Sequence, residues 1–304
     1  MEFSILRLGR GAKRRPLSSL FNVYRTPGPT AILLTAHGQL FTDMSTIQKD
    51  FDRIALVSPD GSLQNNHYHN FLLRQLPIDC RAALEIGCGK GEFSRRLTEK
   101  SQHVLALDLS PEMIRIARER SVDLPSIDFQ IADVVSYDLP QEGFDCIATI
   151  ATLHHLPLRE IFLKMKAALK PGGVLLILDL FEPIKWHGHT RKWHGNPARD
   201  SENDRPSPDT SQTGRTNHNQ LPSMCEGLID TFLNAVAIPV SVSLRLIHHG
   251  RLLPSRAARD AWAAHERHDI YPTMKEVHAL CAEILPGAKI KKHLLWRYSI
   301  IWKK

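Results

Sequence analysis

The stretch Leu84-Glu85-Ile86-Gly87-Cys88-Gly89-Lys90-Gly91-Glu92-Phe93 restricts this chain more than any other. An apolar run meets three closely spaced glycines, and helix-forming sequence follows at once. Strand, tight turn and helix start, in that order, are the unit of a parallel α/β sheet. Glycine lets the backbone adopt torsions closed to other residues and approach a ligand closely. The first amides of the following helix then face whatever lies over the turn. Dinucleotide sites use the same device with the spacing G-x-G-x-x-G or Ala, whose third small residue lets helix and strand close beside a pyrophosphate. Here Gly91 comes one position early, and Glu92 stands where the small residue belongs. A carboxylate fits poorly beside a pyrophosphate, so the spacing argues against a dinucleotide.

The surrounding pattern agrees with a sheet of β/α units. From about Ile47 to Leu180, apolar runs bounded by turn residues alternate with helical periodicity. Strands are expected at Ala82–Ile86, His103–Leu107, Ile127–Ile131, Phe144–Ile150 and Val174–Leu178. Helices are expected around Glu92–Glu99, Pro111–Arg120 and Leu158–Leu169. Ser110-Pro111 opens one helix with a cap and a first-turn proline, and Pro171-Gly172-Gly173 stops another. Of the 304 residues, 42% are apolar and 23% charged, which excludes a wholly disordered, collagen-like or coiled-coil chain. No run of about 18 uncharged apolar residues is present to span a bilayer.

Composition shifts divide the chain into five segments. Residues 1–43 hold six basic residues against two acids and read as a basic disordered tail; an organelle transit peptide is the alternative. Residues 44–184 read as the globular core. Residues 185–223, rich in charge, Asn, Ser, Pro and His, lack the apolar surface to order themselves and read as a disordered insertion. Residues 224–272 form a strongly apolar stretch, Leu228–Ile247, and a polar helix near Ser255–His268, together a helical lid or insertion. Residues 273–304 read as a helix and a two-stranded hairpin at Lys289–His293 and Arg297–Trp302. The net charge of +7 is thus concentrated in the tail. Five scattered cysteines without a C-x-x-C pair suit reduced, buried thiols, and the expected location is cytoplasmic unless residues 1–43 act as a transit peptide.

Two acids sit at the ends of the next strands. Asp108 follows the glycine turn by about 20 residues, where an acid can accept from ribose hydroxyls. Asp133, in Ile131-Ala132-Asp133, could accept from an adenine amino group. With LEIGCGKGEF, ALDLSPEM, IAD, FDCIATIATLHHL and LKPGGVLLILD, the chain resembles the class I S-adenosylmethionine-dependent methyltransferases, in particular the small-molecule subgroup with the type 11 methyltransferase domain. The resemblance covers roughly 78–180 and, more loosely, the C-terminal helix and hairpin. It implies an α/β, doubly wound, Rossmann-like sheet of seven mostly parallel strands with an antiparallel C-terminal hairpin. It also implies S-adenosyl-L-methionine as cofactor. Glu85, Gly87 and Gly89 are implied to face its methionine moiety, Asp108 its ribose, Leu109 and Met113 its adenine, and Asp133 the adenine amino edge. Ile150 is implied to lie beneath the sulfonium, with Cys88, Gly91 and Ala132 completing the set.

A sulfonium already carries a good leaving group, so such an enzyme has to align a nucleophile with the methyl and exclude water. A base is needed only when the acceptor arrives protonated. His154 and His155 follow the fourth strand at the edge where open α/β sheets bind ligands, and His155 is the first candidate, ahead of His154. A strand-end cap is the structural alternative for either. Tyr68, in Asn65-Asn66-His67-Tyr68-His69, is a third candidate on a short helix ahead of the domain. His187, His189 and His194 stand without carboxylate or thiolate company, so no metal is expected.

The leading expectation is methylation of a small, lipophilic or aromatic acceptor, with Leu228–Ile247 walling its pocket. An RNA methyltransferase is one alternative. Amino-methylating nucleic-acid enzymes carry an Asn- or Asp-Pro-Pro-aromatic tetrad where this chain has Ala151-Thr152-Leu153-His154, and no stable nucleic-acid partner is expected. A cofactor-binding module without catalysis is the other. Oligomeric state is open.

Overall fold

The computed structural model describes residues 22–23, 33–34, 40–41, 44–58, 63–181, 236, 239–240, 243, 246, 254–267, 269 and 271–304. Its first elements are β1 (Asn22–Val23), β2 (Leu33–Leu34) and β3 (Leu40–Phe41), a small antiparallel meander. Helices α1 (Met44–Val57), α2 (Leu63–Asn66) and α3 (His69–Leu73) follow. The meander is the described part of segment 1–43. The rest of that segment, and all of 185–223 with its three histidines, lie outside the described residues, as does Leu228–Ile247 apart from helical positions at Val236, Pro239, Val240, Ser243 and Leu246.

The main sheet contains β4 (Cys80–Ile86), β5 (Ser101–Asp108), β6 (Ile127–Ile131), β7 (Phe144–Ile150), β8 (Leu169–Leu180), β9 (Lys289–His293) and β10 (Arg297–Lys303). Their spatial order is β6-β5-β4-β7-β8-β10-β9. The first five are parallel, and β10 runs antiparallel to both neighbours. The expected sheet is therefore the observed one. Between the strands lie α4 (Glu92–Leu97), α5 (Pro111–Glu119), a 3-10 turn at Leu153–His155, α6 (Leu158–Ala168), α7 (Arg256–His265) and α8 (Met274–Ile284).

Alternation along the strands sends side chains into two cores, one on each face. Leu84 and Ile86 pack with Ile147, Ile177, Phe162 and Tyr298, while Ala83 packs on the other face with Ala148, Leu176, Phe93 and Leu72. Burial on both faces explains why these strands read as near-continuous apolar runs. Each fully buried bulky side chain contributes about 1.5–3 kcal/mol.

The local signals hold, with one extension. Ser110 caps α5 by accepting from the Met113 amide at 3.1 Å, with Pro111 in the first turn. Thr273 and Glu276 cap α8 reciprocally. Pro171-Gly172-Gly173 does stop α6 but is taken into β8, which begins at Leu169 rather than Val174. The reason is a partner: the Gly172 amide donates to the Lys304 carbonyl at 2.7 Å, and the Lys304 amide to the Gly173 carbonyl at 3.0 Å. Gly172 has φ 79°, which glycine tolerates without strain.

Helix α1 lies over the carboxyl ends of the parallel strands and is fixed by polar ties. Its Asp52 carboxylate accepts from the Ser110 hydroxyl at 2.5 Å and the Glu112 amide at 3.2 Å. Just past its end, the Ser58 carbonyl accepts from the Lys90 ammonium in the glycine turn.

Candidate functional site

A cavity opens at the carboxyl edge of β4, β5 and β7, where open α/β sheets bind ligands. One half is built by the glycine turn and the two following strand ends. Gly87 has φ 71°, and a Cβ there would lie 2.1 Å from the Thr152 hydroxyl, so only glycine fits. The Gly87 and Cys88 amides donate to the Leu107 carbonyl at 2.8 and 3.0 Å, locking the turn to the end of β5. The Gly89 amide donates to one Asp108 oxygen at 2.7 Å and the Ser110 amide to the other at 2.9 Å.

Glu85 is buried and Asp108 partly so, and the hydrogen bonds each accepts offset only part of the lost hydration. Burial raises the Glu85 carboxyl to about 8, against the opposing hydrogen bond from the Ser94 hydroxyl. Burial raises Asp108 to about 6, resisted by the backbone amides of Ser110, Gly89 and Leu109. Asp133 also borders the cavity, its Oδ1 accepting from the Val135 amide at 2.9 Å.

Of the residues singled out from the sequence, Glu85, Gly87, Cys88, Gly89, Asp108, Leu109, Met113, Ala132, Asp133, Ile150 and His155 line the cavity. Gly91 does not: at φ 73° it opens α4, and a Cβ there would meet the Phe129 ring at 2.8 Å. His154 is turned away, with Nδ1 at 2.7 Å from Asp179 Oδ1 and its amide donating to Oδ2 at 3.0 Å. Tyr68 is likewise absent from the lining. Its hydroxyl donates to the Leu294 carbonyl at 2.6 Å, tying the α2–α3 junction to the β9–β10 turn, while neighbouring Asn65, Asn66 and His69 do reach the cavity.

The other half of the cavity is apolar. Met44, Ile47, Phe51 and Ile54 of α1 supply it, with Leu156 and Trp262. The i, i+3, i+7, i+10 spacing of the four α1 residues marks one helix face, on a helix absent from the sequence expectations. Ala151, which follows β7 and also lines the cavity, holds φ 52° without being glycine.

Behind His155 stands a cluster that sequence reasoning missed. Asp269 Oδ1 lies 3.7 Å from His155 Nδ1 and 3.4 Å from His265 Nε2, while Oδ2 accepts from the Tyr271 hydroxyl at 2.8 Å. His265 Nδ1 is 3.5 Å from Asp50 Oδ2. The His154 and His155 rings are 3.9 Å apart between centroids. Burial, then the neighbouring His154 and His265, hold His155 well below the usual imidazole range. Burial opposes a charge on His154 too, but Asp179 outweighs it and raises that group. No short motif announces this cluster, because its members come from α1, the turn after β7 and the α7–α8 segment.

Residues 83–173 match the methyltransferase domain family. The chain is 30% identical over 132 residues to an uncharacterised methyltransferase of Mycobacterium tuberculosis, covering 42% of this chain and 66% of that protein. It is 32% identical over 143 residues to a ubiquinone biosynthesis O-methyltransferase of Xylella fastidiosa, covering 43% and 58%. It thus spans less than two-thirds of either relative. A solved S-adenosylmethionine-dependent methyltransferase from Aquifex aeolicus is 16% identical, with 86% and 98% of the two chains covered and a TM-score of 0.42. The glycine turn locked to Asp108, the strand order with its antiparallel β10, and the match over 83–173 agree: this chain carries a class I S-adenosylmethionine-dependent methyltransferase domain.

Proposed function

We propose that this chain transfers a methyl group from S-adenosylmethionine to a small, lipophilic or aromatic acceptor. The observation that carries the reading is the division of one cavity into an acidic half and an apolar half. Glu85 and Asp108 are both pushed up by burial, so the site favours a ligand that brings positive charge and donors. The cofactor's ammonium and sulfonium supply the charge, and its ribose supplies hydroxyl donors. When bound, the cofactor provides a methyl group on a good leaving group.

The residues then take these parts. Glu85, Gly87, Cys88 and Gly89 receive the methionine end. Asp108 keeps lone pairs for the ribose hydroxyls after accepting from two amides. Leu109, Met113 and Ala132 border the adenine, Asp133 accepts from its amino group, and Ile150 lies under the sulfonium. Gly91 acts through the backbone at the start of α4, and His154 and Tyr68 support the walls. His155 is the catalytic side chain, the one of the three sequence candidates that lines the cavity. Met44, Phe51, Leu156 and Trp262 exclude water and hold the acceptor in line. O-methylation suits an apolar acceptor, and an O-methyltransferase of ubiquinone biosynthesis is among the relatives.

Purified full-length protein with labelled cofactor, screened by mass spectrometry against metabolite extracts, tests the proposal. Label appearing in an apolar hydroxylated product is expected. Cofactor binding by calorimetry without label transfer to any extract would leave a binding module instead.

A further inference from the structure

The histidine–carboxylate cluster behind the cavity has geometry that hydrogen bonding does not explain. Asp269 Oδ1 faces His155 Nδ1 at 3.7 Å and His265 Nε2 at 3.4 Å. An N–H···O bond is about 2.7–3.2 Å long, so neither contact is one. Yet the His155, His265 and Asp269 side chains are only 8%, 3% and 4% exposed. Polar groups at such depth normally find partners, and on the far side of each ring from Asp269 the buried His155 Nε2 and His265 Nδ1 have no hydrogen-bond partner among the described residues. Ligands bonded to a tetrahedral zinc ion at about 2.0–2.1 Å are themselves about 3.3–3.4 Å apart. The separations around Asp269 are near that edge length.

The outer contacts point the same way. Asp179 occupies His154 Nδ1 at 2.7 Å and leaves Nε2 to ligate. The Tyr271 hydroxyl occupies Asp269 Oδ2 at 2.8 Å and leaves Oδ1. A carboxylate behind a ligating imidazole, fixing its tautomer and orientation, is the usual second layer of a metal site. One donor atom from each of His154, His155 and Asp269 lies within 4.8 Å of the other two.

We propose that His154, His155 and Asp269 bind a divalent transition-metal ion of the zinc type, with His265 beside Asp269 as an outer contact. Two imidazoles and one carboxylate suit zinc, cobalt, nickel or iron rather than magnesium or calcium, which prefer all-oxygen sets. The ion's binding stands on the cluster alone. Its use rests on the methyl-transfer reading: His155 borders the cavity, so the ion lies where it can hold an acceptor's oxygen, and His155 meets the acceptor through it.

The test uses the full chain, stripped with a chelator and titrated with cobalt(II) and then zinc(II). The expected result is one equivalent bound, with visible cobalt bands of a four- or five-coordinate site displaced by zinc. Asp269→Ala and His154→Ala should lose at least about 100-fold in zinc affinity, and Asp179→Asn about 10–100-fold. A variant with His187, His189 and His194 all changed to Ala should bind as the parent does. S-adenosylhomocysteine calorimetry on each variant shows that it is folded; should Asp269→Ala not fold, Asp269→Asn, expected to weaken zinc about 10-fold or more, replaces it. No cobalt bands, zinc affinity unchanged in the Asp269 and His154 variants, or binding lost with the 187/189/194 histidines overturns the proposal. Metal bound without methyl transfer leaves this site standing and removes the functional reading; methyl transfer by metal-free protein that binds no zinc does the reverse.

Discussion

The cofactor half of the cavity and the histidine cluster behind His155 reach their geometry by opposite routes. The cofactor half is local: the glycine turn, Asp108, Met113 and Asp133 come from consecutive strand ends and their turns, and backbone amides of that same stretch hold Asp108. The histidine cluster is assembled from α1, the turn after β7 and the α7–α8 segment. A local site is fixed by backbone torsion, and a distant one by the packing that brings its parts together. Substitutions should therefore separate the two.

The largest separation is expected at Gly87. Alanine there places a Cβ 2.1 Å from the Thr152 hydroxyl at a left-handed φ of 71°. S-adenosylhomocysteine affinity should fall about 100-fold or more, roughly 3 kcal/mol, in calorimetry. Metal content should stay near the parent's. Equal loss at both sites would show that the two are one unit.

Asp108→Ala should weaken S-adenosylhomocysteine by about 1.5–3 kcal/mol through loss of a charged acceptor. Because burial raises Asp108 to about 6, affinity in the parent should also fall as pH drops below that value. An affinity flat from pH 5 to 8 would remove Asp108 from the ribose contact.

Glu85 sharpens the comparison through stability. Its folded-state pKa is raised from 4.5 to about 8 by burial, so the folded state keeps a proton that the unfolded state releases. Stability of the ligand-free protein should therefore decline as pH rises from about 4.5 through 8, and Glu85→Gln should flatten that decline. Ligand binding near pH 7 should release a proton as the carboxylate pairs with the ammonium. Calorimetry in buffers of different ionisation enthalpy measures it, and no buffer dependence would contradict the pairing.

The smallest effect is expected at Tyr68. Phenylalanine removes one hydrogen bond, to the Leu294 carbonyl, and should cost about 0.5–1.5 kcal/mol in thermal or urea unfolding. Its kcat should not change. A large fall in kcat with normal stability would return Tyr68 to the catalytic machinery.

The same division explains what was legible. Strand and helix order, the capping at Ser110 and the glycine turn follow from neighbours in sequence, where propensity and torsion decide. Met44, Ile47, Phe51 and Ile54 stand at helical spacing on a helix absent from the sequence expectations, and periodicity says that a face is buried, not what it covers. His265, Asp269 and Tyr271 show no pattern, because spacing along the chain holds no information about contacts made across the fold. His154 and Tyr68 illustrate the converse: each stands near the site in sequence, and a single carboxylate or carbonyl partner turns it away.

The placing of β10 between β8 and β9 has a further consequence for synthesis and quality control. β8 ends at Leu180, and the strand that covers its outer edge begins at Arg297. Until that last strand is made and threads in, the run Val174–Leu178 presents an unpaired apolar edge, the kind of template that recruits other chains. Contacts so far apart in sequence close slowly. Nascent or truncated chains lacking β10 should thus be the aggregation-prone species, and a chaperone's demand would be set by the time between those two strands.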